Sequence, residues 1–195
     1  MFVLGIDPGM SRCGYGLVST TAGRSDAQAA GVLTTSPDDP LPDRLAILSK
    51  DLQRLIEECN PDVVAVERVF FQTNVRTAMA VGQASGLALA SASIHGCEVV
   101  QYTSNEVKQS VTGDGSAPKM QVQRMVQSLL SLPQLPDPPD VADALALALC
   151  HLSQSSWLTK VKVAASARSG EQERADERAW PERPVAEGDM SGRQT

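Results

Sequence analysis

The sequence predicts an α/β protein: a mixed five-stranded sheet, made of an antiparallel meander and later parallel strands, flanked by helices. Two observations lead to this prediction. Three strand-like segments come first along the chain and are joined by short connections, which is the pattern of a meander. After them, segments with apolar residues at helical intervals alternate with short β-branched runs. That alternation is typical of helices covering the faces of a sheet.

The meander is expected in the first 35 residues. Its first strand is the apolar run over residues 2–7, which leads into the motif GIDPGM at residues 5–10. Strand-like segments follow over residues 13–20 and 28–35, and the polar stretch TAGRSD is expected to connect them. The stretch SPDDPLP is expected to be the loop that leaves the meander.

Helical periodicity and β-branched runs alternate in the rest of the chain. Gly82 and Gly86 lie inside one alanine-rich helical segment, which implies close packing against another element, with a second subunit as one candidate. Helices are predicted over residues 43–58, 74–94, 104–111, 118–130 and 137–152, and strands over residues 62–69 and 98–102.

The chain is predicted to contain one folded domain, residues 1–155, followed by a charged tail over residues 156–195. Residues 166–195 contain five arginines and seven acidic residues and show no apolar periodicity. Such a segment cannot bury enough apolar surface to offset the entropy of ordering it. The tail is therefore predicted to be disordered.

Composition indicates a soluble cytoplasmic protein. The four cysteines show no CxxC spacing, the N-terminus shows no leader pattern, and no apolar run is expected to reach membrane-spanning length. The net charge of −6 would not by itself suggest a nucleic-acid-binding protein. A local basic patch can nevertheless coexist with that net charge.

Four carboxylates are expected to converge. Asp7 and Glu67 each lie near the end of a predicted strand, and parallel neighbouring strands would bring both to one edge of the sheet, where functional crevices tend to lie. Asp140 and Asp143 are three residues apart at the start of the last predicted helix and so share one helix face. If that helix crosses the same edge, all four meet.

A cluster of this kind needs a neutralising partner. Two carboxylates about 4 Å apart repel each other by about 4 kcal/mol at an effective dielectric constant near 20. Oxygen ligands of this type suit Mg²⁺ or Mn²⁺. Two such ions about 4 Å apart can activate water and stabilise the leaving oxygen in phosphodiester hydrolysis.

Each carboxylate also has an ordinary alternative. Asp7 could initiate a turn or hold a nucleotide phosphate, and Glu67 could be an exposed strand residue. Asp140 and Asp143 could simply complement the dipole at a helix N-terminus. The joint pattern is harder to explain in these ways, because all four fall where one sheet edge can collect them.

Beyond these residues, the sequence closely resembles the RuvC family of bacterial Holliday-junction resolvases. The resemblance covers residues 1–155, through GIDPGMSRCGYG, DRL, VVAVERVFF, GQASGLALA, EVKQSVTGDGSAPKMQVQ and DVADALALALCH in the expected order. It implies a ribonuclease H-like fold. It also implies that the family's acidic tetrad, which is both catalytic and metal-binding, falls on Asp7, Glu67, Asp140 and Asp143.

The resemblance implies a defined activity. It is the Mg²⁺-dependent resolution of four-way (Holliday) DNA junctions, in recombination and repair, by paired symmetric nicks that leave 5′-phosphate and 3′-hydroxyl ends. Two Mg²⁺ ions per subunit are expected, with Mn²⁺ able to substitute. A homodimer that supplies one site per strand and a partnership with the RuvA–RuvB branch-migration complex are also implied.

The resemblance also suggests DNA contacts. The family's junction-centre aromatic residue matches Phe70, which could stack on an unpaired base, and its basic contacts match Lys108 and Lys119. Arg76 and Arg124 lie nearby in the sequence and are further candidates. Without the family, Phe70 could equally be a core residue and the lysines part of a solvated face.

Two other functions are alternative interpretations of the same motifs. An actin- or chaperone-type ATPase also places a DxG turn after its first strand, but such folds need two lobes and a second glycine-rich phosphate loop. A noncatalytic junction-binding protein is the other alternative, against which the intact tetrad argues.

One departure from the family is Asp114, an acidic residue in the glycine-rich loop TGDGSAPK, which could weaken DNA contact there.

Overall fold

The computed structural model describes residues 1–68 and 75–155. These residues form a five-stranded mixed sheet with the strand order β3-β2-β1-β4-β5, which confirms the predicted fold class. The predicted tail over residues 156–195 lies outside the described residues. The strands are β1 (Phe2–Asp7), β2 (Arg12–Thr21), β3 (Arg24–Thr34), β4 (Val63–Glu67) and β5 (Glu98–Tyr102).

Helices cover both faces of this sheet. One buried cluster joins the sheet to the first two helices, and a second joins its other face to the last three. The helices are α1 (Leu41–Cys59), α2 (Val75–Ile94), α3 (Ser104–Thr112), α4 (Lys119–Leu129) and α5, which runs from residue 139 to residue 155, where the described residues end.

The sheet changes strand direction at β1. This strand pairs antiparallel with β2 on one side and parallel with β4 on the other, and β4 pairs parallel with β5. The last pair in the β1–β4 register is Ile6 opposite Val66. Asp7 and Glu67 come one residue later, so they lie at the same carboxyl edge, as the sequence predicts.

The connection between β2 and β3 is much tighter than expected. The prediction of a six-residue connection is wrong, because the turn consists of Ala22 and Gly23, and the pairing resumes at once with Thr21 opposite Arg24. Both turn residues have positive φ, 52° and 83°. Positive φ at both central residues is the requirement of the two-residue hairpin turn whose twist matches the strands.

Alternation along β1 determines which side chains face the site. Leu4 and Ile6 are buried against α1 and α2, whereas Val3 is buried on the opposite face with α5. Since successive strand residues point to opposite faces, Gly5 and Asp7 lie on the same face as Val3. Asp7 is therefore directed to the layer that holds α3, α4 and α5.

Helix α2 contains the one segment within the described residues, Thr77–Ile94, that is long and apolar enough to cross a membrane. The expectation that no run reaches this length is therefore wrong. Core helices of soluble proteins pass the same test when they are mostly buried, whereas 28% of this segment is buried, including Ala84, Ala88 and Ala92 against the sheet layer. A single such segment is a weak indication of a membrane span.

Candidate active site

The carboxyls of Asp7 and Glu67 form the centre of the candidate site. They end adjacent parallel strands, and their side chains share a hydrogen bond. Both side chains are partly buried. A pair of carboxyls in direct contact and shielded from water cannot readily lose both protons.

Three glycines bring the remaining two carboxylates to this pair. A Cβ atom on Gly5 would collide with the carbonyl oxygen of Ala144, and one on Gly14 with the carbonyl oxygen of Asp140. A Cβ atom on Gly16 would lie 2.7 Å from a methyl carbon of the Leu145 side chain. The backbone of α5 therefore lies directly on β1 and β2, at a distance that no larger residue allows.

Because α5 packs this closely, Asp140 and Asp143 come within electrostatic range of Asp7. Both raise the pKa of Asp7 electrostatically, as Glu67 does. The structure thus brings together the four carboxylates that the sequence singles out, while their catalytic role stays a prediction. The glycines were not identified as functional from the sequence, although CGYG inside a strand was an available signal.

Burial and like charge hold a proton at the site. The pKa of Asp7 is raised from 3.8 to about 7, mainly by burial and in addition by the charges of Glu67, Asp143 and Asp140. Burial also raises the pKa of Glu67, and the charge of Asp143 adds to this. Lys119 and Lys108 act in the opposite direction on Glu67.

This pKa shift predicts a pH-dependent stability of the metal-free protein. Between pH 4 and pH 7 the folded protein holds a proton on Asp7 that the unfolded chain has lost, so stability should fall as pH rises through this range. Denaturant unfolding in EDTA at pH 5 and pH 8 measures the effect.

Asparagine at position 7 provides the control for that measurement. Asp7→Asn removes the titrating carboxyl, so the variant should be more stable than the unsubstituted protein at pH 8 and should show a smaller difference between the two pH values. An identical pH dependence in the two proteins would show that Asp7 does not hold the proton.

Two cations already contact the helix-borne carboxylates. Lys119 Nζ lies 2.6 Å from Asp143 Oδ2, and Arg12 Nη2 donates to Asp140 Oδ2 at 2.7 Å. A cavity of about 210 Å³ opens beside Lys119 and Asp143. Its lining contains charged and polar residues (Glu67, Ser104, Lys108, Lys119 and Asp143) and apolar residues (Val107, Val122, Ala146 and Leu147).

The donor set fits a divalent cation. The carboxylates of Glu67, Asp140 and Asp143 all lie within electrostatic reach of Asp7, and together the four supply the oxygen ligands that Mg²⁺ and Mn²⁺ prefer. With the side chains as they stand, no group of three or more His, Cys, Asp or Glu residues among residues 1–68 and 75–155 could hold a metal ion. Two of the four carboxylates are already paired with cations, Asp140 with Arg12 and Asp143 with Lys119.

The predicted DNA contacts fall in different places. Lys108 and Lys119 line the cavity beside the carboxylates. Arg124 is exposed on α4 and is not among the residues that line the cavity. Phe70 and the side chain of Arg76 lie outside the described residues, so their roles stay predictions.

Sequence reasoning missed two arginines next to the site. Arg12 is the first residue of β2 and contacts Asp140, 128 positions away in the chain. Arg44, the arginine of the DRL motif, donates from Nη2 to Ser11 Oγ at 2.6 Å and from Nε to Thr35 Oγ1 at 3.0 Å. Arg44 thereby ties the turn after β1 to α1 and to the residue that follows β3.

Asp114 has a local structural role in the loop after α3. Its Oδ1 accepts hydrogen bonds from the backbone nitrogen and the hydroxyl of Ser116, at 2.8 and 2.7 Å, and these bonds lower its pKa. Gln109 bonds the same loop at Gly113 and Gly115. The carboxylate is thus engaged within the loop, a role that the sequence did not indicate.

Comparison with known proteins places this geometry in context. The family described as crossover junction endodeoxyribonuclease RuvC matches residues 3–151. A relative of that name from Alkaliphilus oremlandii is 45% identical over 163 residues, which cover 84% of this chain and 99% of the relative. Another of that name from Salinispora arenicola is 49% identical over 172 residues, covering 87% and 98%.

Solved structures give the same picture. Thermus thermophilus RuvC matches with a TM-score of 0.74 and 35% identity, over 80% of this chain and 96% of that one. The same protein in complex with a Holliday junction substrate matches with a TM-score of 0.75 and 36% identity, over 80% and 94%. A yeast mitochondrial Holliday junction resolvase, at 16% identity and a TM-score of 0.62 over 85% of each chain, shares the fold.

Proposed function

The chain belongs to the RuvC family of crossover junction endodeoxyribonucleases, and from this premise we propose how its residues carry out the reaction. It is an endonuclease that resolves Holliday junctions and requires a divalent metal. One observation supports placing the chemistry at the sheet edge: four carboxylates meet there beside two lysines. The noncatalytic alternative and the ATPase alternative are not favoured.

The proposed metal is Mg²⁺, with two ions per subunit and Mn²⁺ able to substitute. Asp7, Glu67, Asp140 and Asp143 would hold the ions. When bound, the ions supply the Lewis acidity that activates water and stabilises the leaving 3′ oxygen. Asp7 must lose its proton before it can serve as a ligand, so its raised pKa should make metal binding weaken as the pH falls below about 7.

The rest of the reaction depends on how the chain holds DNA. Lys119 and Lys108 line the cavity at the carboxylates, where they can neutralise the phosphate that approaches them. Water attacks the phosphorus and the bond to the 3′ oxygen breaks, which leaves 5′-phosphate and 3′-hydroxyl ends. Phe70 is proposed to stack on an unpaired base at the junction centre. Arg76 and Arg124 are proposed as further backbone contacts.

Incubation with a synthetic four-way junction tests the proposed function. With Mg²⁺ or Mn²⁺ we expect paired nicks at symmetric positions in two opposed strands, and with EDTA no nicks. Linear duplex of the same sequence is the control and should remain intact. Equal cutting of junction and duplex would indicate an unspecific nuclease, and binding without nicking would indicate a noncatalytic protein.

We propose a homodimer formed through α2. Val75, Met79 and Ile94 on this helix are exposed by 67, 60 and 74%. Gly82 and Gly86 are also exposed, and a Cβ on either would meet no heavy atom within 4 Å in the described chain. An uncovered face that combines apolar side chains with glycines allows another helix to approach closely. A dimer also provides two sites for two opposed strands.

Leucine at position 86 is expected to weaken that dimer. Gly86→Leu inserts a side chain where two helices would meet, at a cost of about 1–3 kcal/mol of association free energy. Sedimentation equilibrium measures the change. Gln53→Leu, which adds the same side chain on the exposed face of α1, is the control and should leave the dimer intact. An unchanged dissociation constant in Gly86→Leu would contradict this interface.

Partnership with the RuvA–RuvB complex and a cytoplasmic location are proposed from the family resemblance. The state of the cysteines supports a reducing compartment. All four are free thiols, with Cys13 and Cys150 buried and Cys59 and Cys97 partly exposed.

A further inference from the structure

Arg12 forms an ion pair at the edge of the carboxylate cluster. Its guanidinium donates to Asp140 Oδ2 at 2.7 Å. The Arg12 side chain is 50% exposed, compared with 27% for Asp140. Arg12 thus neutralises a proposed metal-holding carboxylate, while half of its own surface stays in water.

The backbone beneath Arg12 is fixed. The preceding residue, Ser11, receives a hydrogen bond from Arg44 at its hydroxyl, and its carbonyl oxygen accepts one from the backbone nitrogen of Thr35. Arg12 itself begins β2 and pairs with Thr34 of β3. Any change in the position of the guanidinium is therefore a rotation of the side chain, which its exposure permits.

A divalent cation and the guanidinium of Arg12 compete for Asp140. Both are attracted to the same carboxylate, and one oxygen of that carboxylate already accepts the arginine. The two cations also repel each other at contact distance in a partly shielded site. Metal loading therefore weakens the contact between Arg12 and Asp140, and that contact in turn weakens metal loading.

We propose that Arg12 is an exchangeable counter-ion: it neutralises Asp140 in the metal-free protein and, once metal binds, turns to a phosphate of the junction DNA. A guanidinium pairs with phosphate oxygens through two parallel hydrogen bonds, which suits it to this second position. Junction binding and metal binding are thereby coupled through one side chain. The inference rests on the proposed function, because it requires metal and DNA to meet at these carboxylates.

The first test is metal binding without DNA. Mn²⁺ alone is titrated into the full chain and followed by electron paramagnetic resonance. Arg12→Ala should bind Mn²⁺ more tightly by roughly three- to tenfold, since a competing positive charge is removed. Arg12→Lys keeps the charge and should stay closer to the unsubstituted protein. Arg24→Ala removes a comparable surface arginine and should have no effect. Arg24 is the first residue of β3, where it pairs with Asp26 at 3.1 Å, and it lies opposite the far end of β2 from Arg12.

The second test is junction binding with and without a divalent cation. In EDTA, Arg12→Ala should bind a four-way junction as well as the unsubstituted protein does. In Ca²⁺ its binding should be weaker by roughly tenfold, and the slope of log affinity against log salt should be shallower by about one. Arg24→Ala again serves as the control in both conditions.

The outcomes separate this inference from the proposed function. Unchanged Mn²⁺ affinity in Arg12→Ala, or equal loss of junction binding in EDTA and Ca²⁺, would overturn the exchange. Nicking of the junction by the unsubstituted protein tests the proposed function independently. If nicking occurs while Arg12→Ala binds Mn²⁺ normally, only the role of Arg12 fails.

Discussion

Replacing Asp7 with asparagine is expected to abolish junction cleavage, lowering the nicking rate by about a thousandfold or more. Asp7 lies at the centre of the cluster, hydrogen-bonded to Glu67 and within electrostatic reach of Asp140 and Asp143. An amide lacks the negative charge with which Asp7 is proposed to hold a metal ion. Single-turnover nicking of a labelled four-way junction in Mg²⁺ measures the loss.

Junction binding should respond in the opposite direction. At pH 8, where Asp7 is ionised, the substitution removes a negative charge beside the place where a DNA phosphate must approach, so affinity should be kept or increased. Fluorescence anisotropy with the same junction measures it. The control is Asp26→Asn, at a solvent-exposed aspartate of β3, which should nick at the ordinary rate. An Asp7→Asn protein that cut at that rate would contradict the assignment of the site.

Alanine at position 5 is expected to cause the largest structural damage. The added Cβ would collide with the carbonyl oxygen of Ala144 and lie 3.0 Å from the backbone nitrogen of Ala148, so helix α5 must move away from the sheet. We expect a loss of about 1–3 kcal/mol in the free energy of unfolding. Nicking should fall by roughly a hundredfold, because Asp140 and Asp143 move with the helix.

Gly31→Ala is the matched control for this prediction. It makes the same substitution in β3 of the same sheet, but the new Cβ would meet the ring end of the Tyr15 side chain rather than the backbone of a helix. Its loss of stability should be smaller and its nicking rate nearly normal. Equal effects of the two substitutions would show that the contact between Gly5 and α5 does not position the carboxylates.

Local patterns were sufficient to predict most elements of the fold. Helix α1 is buried on one face, so its leucines recur at helical intervals in the sequence. Strand β4 is buried on both faces, so it forms a continuous run of mostly β-branched residues. The start of β3 was missed because this strand lies at the edge of the sheet. Its first residues, Arg24 to Asp26, are polar and lack the pattern of a buried strand.

The sequence by itself determined the fold class, the family and the four candidate carboxylates. Asp7 and Glu67 lie near the ends of apolar runs, and Asp140 and Asp143 lie on one turn of a predicted helix. The ordered motifs around these residues are specific to the RuvC family. Only the tertiary structure decided how the carboxylates are paired and protonated. The contact between Arg12 and Asp140, the position of α5 on Gly5 and the raised pKa of Asp7 all depend on distances between segments far apart in the chain. Electrostatic energies depend on separation and burial, which packing sets and local residue patterns do not record.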